Sequence, residues 1–306
     1  MAKNVKKALY KFAEKVVPYY FIEKYQSYKN ESFPYSPGGF YSPIPSKRDI
    51  KKYNFNAPLP ETLPGIDLNT EEQLILLDSF EPFYKELPFN DEKTEGFRYY
   101  YKNDAYCHSD AIFLYCMIRH LKPKRLIEIG SGFSSSVTLD TNEKFMNNPI
   151  NCTFIEPYPV TLESLLTNDD KSNVTLIKKQ LQGVPIDVFK ELKENDILFV
   201  DSTHVSKFNS DVNYILHKIL PALEKGVYIH FHDVFYPFEY PQEWLMAGWA
   251  WNEQYMLRAF LEYNKNFEIV FFNTYLESMF EAKIRNRFPL VYKNTGGSIW
   301  LKKVLC

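Results

Sequence analysis

Cysteine is scarce in this sequence. The four thiols, Cys107, Cys116, Cys152 and Cys306, have neither metal-ligand spacing nor the density of a disulfide framework, which points to reduced thiols in a cytoplasmic protein. Long apolar runs are missing as well, so no membrane-spanning helix is expected, and the charged N-terminus lacks the apolar core of a secretion signal. Nor is there an excess of charge of one sign. A formal net charge of −2 over 306 residues provides no basic field, which argues against nucleic acid as a partner. Internal repeats and low-complexity tracts are absent. What remains is a chain with 45% hydrophobic residues, rich in Phe (25) and Tyr (23), long enough for one enlarged domain or a domain with an appendage. Those rings suit a packed core, and some could line an aromatic substrate pocket.

The most informative stretch is RLIEIGSGFSSSVTLD, residues 125–140. An apolar run (Leu126, Ile127, Ile129) meets Gly130-Ser131-Gly132, and small hydroxyl residues then open a helical pattern, so a strand passes through a tight turn into a helix N-terminus. Both glycines are expected to use their backbone freedom there, letting a ligand approach the free N–H groups of the helix. A dinucleotide site would have a third glycine three residues after the second. Ser135 stands in that position, which disfavours a nucleotide-dependent oxidoreductase. Glu128, two residues before the first glycine, is expected to face a cationic ligand, and Glu156 ends the next apolar run, NCTFIEP, where it could accept both hydroxyls of a ribose.

Taken together, Glu128-x-Gly130-x-Gly132 and Glu156 on the following strand resemble the S-adenosylmethionine site of class I methyltransferases. The resemblance implies that the glycine turn, with Ser131, Ser134 and Ser135, cradles the amino-acid end of the cofactor while Glu156 holds its ribose. It covers residues 105–303, and implies a Rossmann-like, seven-stranded, mostly parallel α/β sheet. The pattern of the chain agrees. Strands are expected at 125–130, 151–156, 174–178, 196–201, 227–232, 267–273 and 296–303, with helices at 134–146, 160–167, 184–193, 208–223 and 241–263. A helix at 69–87 and another from Ser109, a plausible N-cap, to residue 121 precede them. The last strand would be an antiparallel insertion at the sheet edge, and residues 274–295 form an insert suited to covering a substrate.

Residues 1–104 read as an extension of a methyltransferase domain at 105–306. It comprises an amphipathic helix over 4–28, which could dock on the protein itself, on a second copy or on a membrane surface, and a proline-rich wrapping arm over 34–65.

In open α/β sheets the crevice beyond the strand C-termini binds ligands. The fourth strand ends in Asp201-Ser202-Thr203-His204 and the fifth in His232-Asp233. This resembles a subgroup of class I methyltransferases with Asp-x-x-His and His-Asp at those ends, and is distantly similar to catechol and macrolide-sugar O-methyltransferases, whose carboxylates bind magnesium. The implied roles are His204 as base, Asp201 between cofactor and acceptor, and Asp201, His232 and Asp233 as ligands of a divalent metal (Mg or Mn), with His232 also among the catalytic residues. A histidine in the set weakens the case for magnesium. Gln180 falls where the family contacts adenine. Tyr236, Phe238, Tyr240 and Trp244 are candidates for an acceptor pocket, Tyr100, Tyr106 and Asp110 for ligand contacts, and His230 for a hydrogen-bonded core histidine. The expected activity is O-methylation of a small molecule or saccharide. The alternative is a non-catalytic module that keeps the fold for interaction or membrane attachment.

Overall fold

The computed structural model describes residues 38–305; the amphipathic stretch 4–28 and the start of the proline-rich arm lie outside them. The chain divides into two compact units. The smaller runs to Phe55 and includes Leu245–Ala250, and the larger comprises Asn56–Trp244 and the chain from Trp251 onward. The smaller unit contains the short helix Lys47–Lys52, capped by the Ser46 hydroxyl, which accepts the Asp49 N–H.

The larger unit is built on seven strands: β1 (Arg125–Ile129), β2 (Asn151–Ile155), β3 (Thr175–Ile177), β4 (Ile197–Val200), β5 (Tyr228–His232), β6 (Phe267–Phe272) and β7 (Ser298–Lys303). Their spatial order is β3-β2-β1-β4-β5-β7-β6. The first five strands pair in parallel and β7 runs antiparallel between β5 and β6. The C-terminal strand is therefore an insertion inside the sheet, and β6 is its edge. β4, Ile-Leu-Phe-Val, is fully buried along its length, as a central parallel strand covered on both faces must be. The same core takes in Leu63, Leu77, Phe80, Phe89 and Tyr99, so apolar packing against the sheet begins well before residue 105.

Helices depart from the sequence pattern where local chemistry interrupts it. The expected helix over 69–87 is two, Thr70–Ser79 and Glu81–Tyr84, with Pro82 in the first turn of the second. The one over 208–223 becomes Asp211–Tyr214, a π-helical turn Ile215–Ile219 and Leu220–Ala222; Pro221 has no N–H to continue an α-helical ladder. Residues 186–191 form a 3₁₀ helix. The expected helix over 241–263 is broken into Gln242–Ala247 and Glu253–Leu261, with Gly248 at φ +93° in the break. Ser109 is not a cap: Cys107 precedes the helix His108–Leu121, and the Ser109 hydroxyl donates to Glu277. The insert between β6 and β7 folds as helices Asn273–Met279 and Glu281–Arg287 followed by a 3₁₀ turn. Its Leu276, Ile284, Phe288 and Val291 are buried in the core, so it is packed structure rather than a loose cover. Among the described residues no helix is long and apolar enough to cross a membrane.

Candidate functional site

The turn after β1 depends on one glycine. Gly130 has φ +79°, and a Cβ there would lie 1.8 Å from the Asp201 carbonyl oxygen. The approach is close because the Asp201 N–H donates to Ile129 O (2.8 Å) and the Gly130 N–H to Ile155 O (3.0 Å), drawing the tips of β1, β2 and β4 together. Gly132 differs from the sequence expectation: its φ of −169° is ordinary extended backbone, and a Cβ there would meet only Thr161, at 3.8 Å.

Glu128 also departs from expectation. It is fully buried, with Oε1 accepting the hydroxyls of Ser134 (2.6 Å) and Ser135 (2.9 Å), while Ser135 Oγ accepts the Gly132 N–H at 3.1 Å. It therefore ties β1 to the helix Phe133–Met146 beneath the turn rather than facing a cation, and the two serines are occupied in holding it. Burial pushes the Glu128 carboxyl up to about 8, against the opposing pull of the two serine hydroxyls. A carboxyl whose pKa is raised on folding destabilises the folded state progressively as pH climbs from its unfolded value through its folded one. Glu128→Gln is thus expected to leave stability near pH 4.5 almost unchanged and to raise it by ~1–3 kcal/mol at pH 8, read by urea unfolding at both values. Equal pH dependence in the two proteins would mean that Glu128 is ionised in the fold.

Above the turn lies a cleft of about 440 Å³ lined by Gly130, Glu156, Gln180 and Asp201. Glu156 accepts the N–H of Tyr158 at 2.8 Å and that of Ser131 at 3.4 Å, which fixes its carboxylate at the end of β2. Ser131 Oγ is buried without a hydrogen-bond partner among the described residues. Ser131, Gly132, Ser134 and Ser135 form the turn and helix start beside the cleft without lining it.

Next to the cleft, β4 and β5 bring four ionisable residues together. His204 Nε2 is 3.3 Å from Asp201 Oδ1 and 3.4 Å from Asp233 Oδ2, and its Nδ1 is 2.8 Å from Glu253 Oε2. His232 Nδ1 lies 3.3 Å from Asp201 Oδ1 and 3.6 Å from Asp233 Oδ2, with Nε2 3.5 Å from Asp110. His204 and Asp233 both have left-handed backbone, φ +58° and +57°, a conformation that costs a non-glycine residue ~1–2 kcal/mol. The loop holding His204 is tied to the helix Glu253–Leu261: His204 O accepts the N–H groups of Asn252 and Glu253, and the Ser202 hydroxyl donates to Glu253.

His204 is flanked by carboxylates on both sides. Burial alone would lower its pKa, but Asp201 and Glu253 hold it up at about 10, and both ring nitrogens already face carboxylates. His232 is likewise held well above the ordinary histidine range, with burial outweighed by Asp233, Asp201 and Asp110. For Asp201 burial is outweighed by the two histidines, which hold it far below the usual carboxylate range; Asp233 is pushed up to about 6, chiefly by burial.

Among the other candidates, Asp110 sits behind His232 and is held by Asn273 (2.9 Å) and the Gly297 N–H (3.1 Å). Tyr106 packs its ring 5.1 Å from that of His232, and Tyr100 packs on Phe133. Tyr236 and Phe238 are core residues against Phe272, not pocket walls. Tyr240 and Trp244 instead join Trp251, whose ring lies 4.4 Å from that of His204. His230 is a core histidine stacked on Phe199 at 4.0 Å, but among the described residues neither of its nitrogens has a hydrogen-bond partner, unlike the hydrogen-bonded histidine expected. Glu253 was not singled out from the sequence; an acid opening a helix just after Gly248 and Asn252 was the available signal, hidden by reading 241–263 as one helix.

The methyltransferase-domain family matches residues 127–234, from β1 to just beyond β5. An uncharacterized protein of Archaeoglobus fulgidus is 36% identical over 173 residues, covering 53% of this chain and 76% of that protein. Among solved structures, an SAH-bound methyltransferase of Podospora anserina is similar at 15% identity and a TM-score of 0.41, covering 80% of this chain and 99% of the other. A methyltransferase from Geobacter sulfurreducens is similar at 15% identity and a TM-score of 0.39, covering 85% and 98%. With the matched segment running through both the glycine turn and the ends of β4 and β5, this chain carries a domain of the methyltransferase-domain family.

Proposed function

We propose that this methyltransferase moves the methyl group of S-adenosylmethionine to a hydroxyl oxygen of a small molecule or sugar. One observation carries the reading: Asp201 both lines the cleft and belongs to the carboxylate–histidine cluster, so cofactor and acceptor would meet at a shared carboxylate. In this reading Glu156 accepts the ribose hydroxyls, Gln180 meets the adenine edge, and the N–H groups and free hydroxyl around Ser131 receive the amino-acid end. Asp201 lies between the two substrates.

Methyl transfer from a sulfonium asks the protein mainly for in-line positioning and for removal of the acceptor proton. An uncharged hydroxyl is a poor nucleophile, and the cluster of Asp201, His204, His232 and Asp233 supports the second task. The half-buried ring of Trp251 beside His204, with Trp244 packed on it, supports an acceptor with a flat apolar face, which sugars and aromatic rings both present. Glu156→Ala is expected to weaken S-adenosylmethionine binding by ~1–3 kcal/mol through loss of charge-assisted hydrogen bonds. Calorimetric titration of the two proteins measures this, and unchanged affinity would reject the ribose assignment. The acceptor class is tested by screening hydroxylated sugars and phenols for release of S-adenosylhomocysteine; transfer to amines alone would overturn the oxygen reading.

A further inference from the structure

We infer that Asp201, His204 and Asp233 form a divalent-cation site with a nitrogen ligand, and that Glu253 is its positioning residue. The cation the family resemblance implies was expected on Asp201, His232 and Asp233. The group whose ligand atoms converge is different: one atom each from Asp201, His204 and Asp233 lies within 4.8 Å of the others. The 3.3 and 3.4 Å separations of His204 Nε2 from the two carboxylate oxygens suit adjacent positions around an ion with bonds of ~2.0–2.3 Å.

Two further features fit a cation. Glu253 Oε2, 2.8 Å from Nδ1, fixes the histidine so that an ion displacing the proton of Nε2 would meet its lone pair, the orientation a carboxylate gives a metal-ligating histidine. Independently, His232 is 6% exposed, and its Nδ1, without a hydrogen-bond partner, points at the same two carboxylates. His232 itself is the weaker metal ligand, because its other nitrogen has only a 3.5 Å approach to Asp110 to set its tautomer.

A set of one imidazole and two carboxylates favours manganese or another transition ion over magnesium, which prefers oxygen alone. The inference rests on the methyl-transfer reading only for the use of the ion, which when bound would lower the pKa of an acceptor hydroxyl.

The test uses chelator-stripped full-length protein titrated with manganese(II) chloride and followed by electron paramagnetic resonance. One bound ion with a directly coordinated ¹⁴N in the electron spin-echo envelope is expected, with magnesium chloride a poor competitor. The nitrogen coupling should vanish in His204→Gln and persist in His232→Gln. Glu253→Gln, which keeps an acceptor for Nδ1 but removes its charge, should weaken manganese binding about 10- to 100-fold while keeping the coupling. No bound manganese, a coupling that survives His204→Gln, or one lost in His232→Gln would overturn the site. S-adenosylmethionine binding by calorimetry in the same samples reports both correct folding of the variants and the separate methyl-transfer reading. Manganese binding without cofactor binding would leave the metal site standing and remove the methyl-transfer reading.

Discussion

Asp201→Asn is expected to lower kcat by on the order of 10³-fold, with a much smaller change in affinity for S-adenosylmethionine. Among the candidate site residues, Asp201 both lines the cleft and places its Oδ1 3.3 Å from a nitrogen of each of His204 and His232. Its carboxylate therefore both orders the two rings and balances their charge. Asparagine keeps the shape and one oxygen acceptor but removes the charge that faces both rings. Breaking a buried charge pair from one side costs ~3–5 kcal/mol, so a loss of stability at neutral pH should accompany the loss of turnover. Steady-state release of S-adenosylhomocysteine, with cofactor affinity from calorimetry, separates the two effects. A kcat within tenfold of wild type would remove Asp201 from the centre of the mechanism.

The sheet was legible because its strands obey a simple rule. A strand covered on both faces is continuously apolar, so IleLeuPheVal at 197–200 and the run before Gly130 could be read directly. Strand ends in a parallel sheet also point one way, which brought Asp201, His204, His232 and Asp233 into one crevice on paper and in the fold. Their protonation was not legible, because it depends on residues far along the chain. Glu253 lies 49 positions from His204, and Asp110 approaches His232 from a helix before β1. A histidine at a strand end reads as a base until those carboxylates are in view. Glu128 failed for the same reason: its spacing before the glycines is that of a ligand-facing acid, whereas two serines one helical turn further on claim it from within the fold.

The two glycines of the turn, alike in the sequence, should separate sharply on substitution. Gly130→Ala adds a methyl group to backbone at φ +79° and puts it 1.8 Å from a carbonyl oxygen that cannot withdraw without breaking the hydrogen bonds joining β1, β2 and β4. Left-handed strain alone costs ~1–2 kcal/mol, and a clash between backbone atoms in a close-packed core adds more, so a total loss above ~4 kcal/mol is expected. The variant should unfold at much lower denaturant concentration or fail to accumulate as folded protein. Gly132→Ala meets neither obstacle, since its backbone is extended and the added atom finds its nearest neighbour at 3.8 Å. Its stability should change by less than ~1 kcal/mol, while a methyl group beside the turn would obstruct a cofactor approaching the N–H groups there. Urea unfolding and S-adenosylmethionine titration of both variants test this contrast. Similar stability losses at the two positions would show that the turn is not pinned by Asp201, and full cofactor affinity in Gly132→Ala would show that the cofactor keeps its distance from that side of the turn.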